Sequence, residues 1–299
     1  MATLRELHRR AASLLGEKDQ PALEAKLLLL HCARIKEEKF LAEPEREASA
    51  EVERRLERFV ERRKGGVPLA YLTRTREFWS LPFRVGPGVL IPRPETELVV
   101  EQVVKLAAGA VTGTGSVGSG SGGLILDVGT GSGNIALSLA KELPRFKVMA
   151  VDVSPRAVVR AKKNAERLGL ERVEILRGSL FKALKGRGLE RKFDFIVSNP
   201  PYIPAGEWEG LDDGIKLYEP KRALVPGPTG LEFIKRIVLR SPRYLKPDGF
   251  LVFEIGAGQD TSVLALFDSR WKGVERVLDL AAIPRVILAQ FRGPCRRHP

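Results

Sequence analysis

From residue 124 onward the sequence alternates short apolar runs with amphipathic stretches, and this alternation constrains the fold more than any other feature. Apolar runs at 124–128, 148–152, 173–176, 193–197, 249–254, 274–278 and 286–291 read as strands. Helical spacing of apolar residues marks 96–108, 135–143, 155–168, 231–239 and 262–267 as helices. Strands that are apolar on both faces need helices over both faces, which predicts a parallel α/β sheet. In such sheets ligands bind beyond the carboxyl ends of the strands, near the reversal of strand order. The loops that follow the first four runs are therefore the place to look for chemistry.

After the first run comes Asp127-Val128-Gly129-Thr130-Gly131-Ser132-Gly133-Asn134. Its glycines let the backbone turn sharply and approach a ligand closely. The spacing is G-x-G-x-G, not the G-x-G-x-x-G of dinucleotide sites, and no Gly-Lys-Ser/Thr follows as a P-loop requires. Asp127 stands where a carboxylate can hold a ligand ammonium. Asp152 ends the second run, where an acid takes ribose hydroxyls. A ligand with an amino-acid end, a ribose and an adenine, and no phosphates, is S-adenosylmethionine. The loop after the third run, Gly178-Ser179-Leu180-Phe181, is where a residue can cover the adenine.

The fourth run ends in Asn199-Pro200-Pro201-Tyr202. Neither proline can donate to a sheet ladder, so the chain must leave the sheet at Asn199. The prolines also restrict the residues before them, which makes the corner stiff. Asn199 offers an amide oxygen, Pro200 a bare carbonyl and Tyr202 a flat ring. Two acceptors beside a ring suit a planar NH2, either a carboxamide or the exocyclic amine of a base.

The rest of the chain frames this site. Residues 1–64 read as amphipathic helices, with stripes at Leu4, Leu7, Ala11 and Leu14, at Leu23, Leu27 and Leu30, and at Val52, Leu56, Phe59 and Val60. His8 and His31 sit beside these stripes and are assigned to packing or surface. Residues 65–95 read as a hairpin linker, with strands at 69–72 and 77–79 and a turn at 73–76. The Gly- and Ser-rich segment 109–123 reads as a flexible loop, and 96–299 as the main domain. Cys32 and Cys295 have no Cys-x-x-Cys partner, so neither a disulfide framework nor a metal site is expected. No apolar run is long enough to span a bilayer, so no membrane association and a cytoplasmic location are expected. The formal charge of +13 favours acidic partners, but no block of five like charges occurs. Residues 1–64 carry no basic stripe, which argues against direct nucleic-acid binding.

Taken together, the glycine loop and the Asn199–Tyr202 corner resemble class I methyltransferases that act on an amide or amino nitrogen. The proline-rich segment 88–97 resembles the PrmC/HemK family, the N5-glutamine methyltransferases of peptide-chain release factors. Further matches are Glu77-Phe78-Trp79, Tyr218-Glu219-Pro220, the segment 254–259, and Asp279-Leu280 followed by Arg285. The resemblance implies a class I, Rossmann-like, S-adenosylmethionine-dependent methyltransferase fold with a small N-terminal helical domain that recognises the substrate. The cofactor contacts it implies are Asp127, Gly129, Thr130, Gly131, Ser132, Gly133, Asp152, Leu180 and Asn199. Asn199, Pro200, Pro201 and Tyr202 would hold the substrate amide, with Asn199, Pro200 and Tyr202 catalytic. Arg93, Glu95 and Thr96 would shape a lid over the cofactor or form a structural salt bridge. The implied partners are class I release factors. The alternatives are a DNA or RNA base N-methyltransferase, which uses the same corner, and a binding module that has kept the fold. Arg74 and Ala282 stand where the family commonly has glycine, and Leu180 where it is often aromatic.

Overall fold

The computed structural model describes residues 1–16, 18–109 and 122–293. Most of the segment 109–123, and Cys295, lie outside the described residues. In chain order the elements are α1 (Leu4–Leu14), α2 (Pro21–Ala33), α3 (Glu37–Ala42), α4 (Ala50–Lys64), α5 (Leu69–Thr73), β1 (Thr75–Phe78), β2 (Leu81–Arg84), α6 (Glu97–Ala107), β3 (Leu124–Val128), α7 (Asn134–Glu142), β4 (Lys147–Asp152), α8 (Pro155–Arg167), β5 (Glu174–Arg177), β6 (Phe193–Ser198), α9 (Asp213–Tyr218), α10 (Glu232–Arg240), β7 (Leu245–Glu254), α11 (Asp260–Leu264), β8 (Trp271–Leu278) and β9 (Pro284–Phe291). They form two compact units: Met1–Thr75 with Asp212–Tyr218, and Arg76–Leu211 with Glu219–Pro299.

The first unit is helical. Thr3 starts α1 with a reciprocal cap: its hydroxyl accepts from the Glu6 amide, and its own amide donates to the Glu6 carboxylate. Leu4, Leu7 and Ala11 bury one face of α1, and Ala25, Leu28, Leu29 and Cys32 bury one of α2. Arg63 of α4 forks onto Glu24 of α2, Nε to Oε2 at 2.7 Å and Nη2 to Oε1 at 2.8 Å. His8 packs edge-on against Phe40, and His31 stacks on Phe59. Burial pushes the Cys32 thiol up to about 11, so it stays protonated. The distant helix α9 belongs to this unit, where the Tyr218 hydroxyl donates to the Gly65 carbonyl.

Expectation and structure part at residues 69–79. The segment 69–72 is helix α5, not a strand. Pro68 precedes it, where a fixed φ suits a helix start, and Arg74 ends it in the left-handed region. The hairpin is β1–β2 instead, and its two-residue turn is Trp79-Ser80, with φ of 50° and 53°. Both residues being left-handed marks a type I′ turn, and Trp-Ser lacks the Asn or Gly that announces one. Arg74 therefore caps a helix, which accounts for a glycine preference at that position.

The second unit is built on a seven-stranded sheet with order β5-β4-β3-β6-β7-β9-β8. Strands β3 to β7 are parallel, and β9 runs antiparallel between β7 and β8. The sheet is thus mixed, not wholly parallel. No helix separates β8 from β9, and a turn at Asp279–Ile283, with Ala282 at φ 59°, joins them. So short a connection permits only an antiparallel pair. One face packs on α6, α7 and α8 through Val99, Val103, Leu137 and Val158, and the other on α10 and α11 through Ile234, Ile237 and Val263. Beyond β3 the chain winds outward to β4 and β5, then returns to place β6 on the opposite flank of β3. The β3 and β6 ends lie side by side, and Ser198 Oγ donates to the Val128 carbonyl at 2.6 Å.

Candidate active site

A cavity of about 240 Å³ opens at these strand ends, entirely within the second unit. Its floor is the glycine loop. The Gly129 and Thr130 amides bond the Val151 carbonyl, and the Gly131 amide donates to Asp152 Oδ2 at 2.9 Å. The loop can lie this flat because Gly129 and Gly131 adopt φ of 80° and 57°, conformations that suit glycine. A Cβ on either would meet nothing, so the space above them belongs to the cavity. Gly133 is different. It does not line the cavity, and a Cβ there would press on Leu137 and Ala161 at 3.1 and 3.2 Å. Its role in the structure is close packing of α7 on α8.

Asp152 lines the cavity, half-buried at the end of β4. Its Oδ1 accepts from the Ser154 amide at 2.8 Å and its Oδ2 from Gly131, which leaves a lone pair on each oxygen. Burial raises its pKa, while the Ser154 and Gly131 amides and then Arg222, on the cavity wall, pull the other way. Leu180 also lines the cavity, held at φ 51° after Gly178. Only glycine fits at 178, where a Cβ would lie 2.6 Å from that of Ala183.

Asp127 does not line the cavity; it lies just beneath it. Its carboxylate is fully buried, and Oδ2 accepts from the Thr130 hydroxyl at 2.6 Å. Oδ1 is buried with no hydrogen-bond partner among the described residues. Burial pushes its pKa up to about 7, against the Thr130 hydroxyl and the Ala136 amide. Ser132, buried in the loop, lines the cavity, and its hydroxyl donates to Asn134 Oδ1 at 3.3 Å.

The corner supplies the other wall. Asn199, Pro200 and Pro201 line the cavity. Asn199 Nδ2 donates to Thr96 Oγ1 at 2.9 Å, and Thr96 Oγ1 lies 2.5 Å from Glu254 Oε2. Tyr202 turns out of the cavity lining, and its hydroxyl donates to Glu254 Oε1 at 3.1 Å. Gln259 braces the corner by accepting from the Gly256 amide and donating to the Tyr202 carbonyl. A Cβ on Gly256 would stand 3.1 Å from the Tyr202 ring and 2.9 Å from Gln259 Oε1, so this glycine allows the ring to pack close.

Two segments roof the cavity: one contributes Gly88, Val89 and Pro92, the other Pro220, Arg222 and Val225. Glu219 joins them. One of its oxygens takes Arg93 Nη2 at 2.5 Å, and the other takes the Ile91 amide at 3.0 Å. Arg93 thus serves as the salt-bridge partner expected of it. Sequence reasoning gave no role to Glu219 or Glu254. The signal for Glu254 was present: like Asp152, it is an acid ending an apolar strand. Among the described residues no cluster of metal-ligating side chains occurs, and no helix is long and apolar enough to cross a membrane.

Comparison with known proteins agrees with this geometry. Residues 119–268 match the methyltransferase domain model, and residues 6–73 match the PrmC N-terminal domain model. The release factor glutamine methyltransferase of Pseudomonas aeruginosa is 42% identical over 267 residues, covering 88% of this chain and 91% of its own. That of Moorella thermoacetica is 39% identical, covering 97% of each chain. Among solved structures, a methyltransferase from Pyrococcus furiosus shares the fold with a TM-score of 0.50 at 19% identity, covering 80% of this chain and 98% of its own. The N-terminal domain of human METTL16, solved in complex with SAH, does so with a TM-score of 0.50 at 20% identity, covering 72% of this chain and 77% of its own. With whole-length identity at this level and both domains matched, the chain belongs to the release factor glutamine methyltransferase family.

Proposed function

We infer that this protein transfers the methyl group of S-adenosylmethionine to the side-chain amide nitrogen, N5, of the glutamine in the Gly-Gly-Gln motif of class I peptide-chain release factors. Family membership supports the reaction. The observation that carries the site is Asn199, which lines the cavity beside the glycine loop with its amide oxygen unpartnered among the described residues.

The residues fit the cofactor. The orphaned Asp127 Oδ1 is a buried negative valence suited to an ammonium. Asp152 keeps lone pairs for ribose hydroxyls, and the open faces of Gly129 and Gly131 admit close approach. Leu180 offers an apolar surface to a purine. When bound, the cofactor supplies an electrophilic methyl on a sulfonium.

A carboxamide nitrogen is a poor nucleophile because its lone pair is delocalised into the carbonyl. Asn199 Oδ1 and the Pro200 carbonyl each accept one N–H of the substrate amide. This holds the nitrogen in place and favours its pyramidal form. Orientation of this kind lowers barriers by up to roughly 7–11 kcal/mol in well-aligned systems. Pro200 and Pro201 make the acceptors rigid, so little reorganisation remains for the reaction step. The nitrogen turns acidic once alkylated and then loses its proton, so no strong base is needed. The helical unit grips the factor away from the reacting glutamine, which makes a short peptide a poorer substrate than the intact factor.

Labelled cofactor offered with intact release factor, DNA, rRNA or no acceptor tests this reading. Label is expected on the release factor alone. Label on DNA or rRNA with none on the factor would move the protein to the base-methyltransferase class.

A further inference from the structure

Asn199 stands at the end of a buried chain of hydrogen bonds whose direction is set by the charge on Glu254. Thr96 and Glu254 are buried. The Thr96 hydroxyl lies 2.5 Å from Glu254 Oε2 and 2.9 Å from Asn199 Nδ2, and Tyr202 donates to the remaining Glu254 oxygen. A hydroxyl has one proton to give, and an ionised carboxylate can only accept. With Glu254 ionised, both Thr96 and Tyr202 give their protons to it. The Thr96 oxygen then faces Asn199 purely as an acceptor. Asn199 must turn its NH2 toward Thr96, and its Oδ1 is left for the cavity.

The two ends of an amide are nearly the same size, so only hydrogen-bond partners choose its orientation. We propose that Thr96 and Glu254 are positioning residues that lock the Asn199 amide with its oxygen toward the cavity, and that this polarity makes the site take a carboxamide NH2 and refuse a carboxylate. The proposal rests on the glutamine-methylation reading above. With the amide reversed, an NH2 would face the substrate NH2, donor against donor. A glutamate side chain, which has no hydrogen to offer when ionised, meets an acceptor in the locked site and is repelled.

The lock has a proton-dependent component. A protonated Glu254 no longer demands the Thr96 proton, which becomes free to turn to Asn199 and release the amide. Burial pushes the Glu254 carboxyl up to about 7; the Thr96 and Tyr202 hydroxyls favour its ionised form, Glu95 opposes it, and Arg285 on β9 favours it. Arg93 faces the Tyr202 hydroxyl from the roof segment. The lock is therefore closed above neutrality and loosens below it.

Two readouts test this. In steady-state kinetics with intact release factor, Thr96→Val keeps the shape and removes the hydroxyl. We expect kcat to fall about tenfold, the equivalent of one strong hydrogen bond in the transition state. KM for the factor and affinity for the cofactor should hold, and Thr96→Ser should restore the rate. The second readout needs no substrate. The chain has three asparagines, Asn134, Asn164 and Asn199, so side-chain amide NMR with labelled asparagine is readily assigned, Asn199 by its loss in Asn199→Ala. Its NH2 signal should move as pH passes through about 7 in the wild type and stay fixed in Glu254→Gln. If the wild type methylates nothing, the functional reading fails while the NMR result still decides the lock. Wild-type kcat in Thr96→Val, an equal loss in Thr96→Ser, or an Asn199 signal that ignores Glu254 would each overturn the proposal.

Discussion

Asp127 and Glu254 are the same device put to opposite uses. Each sits at the carboxyl end of a buried strand, and burial pushes each up to about 7. Glu254 has both oxygens occupied, by Thr96 and Tyr202. Asp127 has Oδ2 bonded to Thr130 and Oδ1 bonded to nothing described. A buried carboxylate with one oxygen unbonded is costly, and a bound ammonium would offset that cost. A buried charge with both oxygens bonded holds its neighbours in place. Counting partners on two similar acids thus distinguishes an acid with an oxygen left over from one with both oxygens in use.

The largest effect should come from removing what Glu254 orients. Asn199→Ala deletes an acceptor used mainly in the transition state, so kcat should fall by about a hundredfold or more while KM moves little. A wild-type rate in this variant would sink the orientation mechanism. On the other half, Asp127→Asn should weaken cofactor binding by about ten- to a hundredfold, as expected for a charge-assisted bond, with the fold intact by circular dichroism. The same acid gives a pH signature. Its raised pKa means that a proton competes with the ammonium below about 7, so calorimetric affinity should drop as pH falls through that value, by at most about tenfold per unit. Asp127→Asn should abolish that slope, and a slope that survives would show that another group owns it.

Smaller effects sharpen the contrast. Asp152 is already held by two backbone amides, so Asp152→Ala should weaken the cofactor by about tenfold or less without unfolding the domain. Unchanged affinity in a folded variant would remove the ribose assignment. Far from both acids, Ala282 is strained at φ 59°, and Ala282→Gly should stabilise the protein by about 1 kcal/mol with cofactor affinity unchanged. A lower melting temperature would contradict this.

What the sequence disclosed and what it hid follow from the range of the interactions. The glycine loop, Asp127, Asp152 and the Asn199–Tyr202 corner sit at strand ends, and strand ends are visible in apolar periodicity. The doubly wound core was visible for the same reason. The antiparallel direction of β9 is hidden in the sequence because strand direction depends on the connection, and only the missing helix between 278 and 284 marks it. Helix α5 reads as a strand in the sequence because five residues are too few to establish a period. The Trp79-Ser80 turn carries no turn chemistry. Gly133 belongs to the loop motif yet serves packing, a distinction that only neighbours in space reveal. Arg93 and Glu219 lie 126 positions apart, and Thr96 and Glu254 lie 158 apart, so no local pattern pairs them.

The Asn199 corner is proposed to deliver a methyl group to one glutamine amide. Fragment-level mass spectrometry of an intact class I release factor, treated with this protein and S-adenosylmethionine, tests it most directly. A single added methyl is expected on the side-chain nitrogen of the Gly-Gly-Gln glutamine, absent with Asn199→Ala. A methyl on any other residue, or an unmodified factor in the presence of active cofactor turnover on nucleic acid, would contradict it.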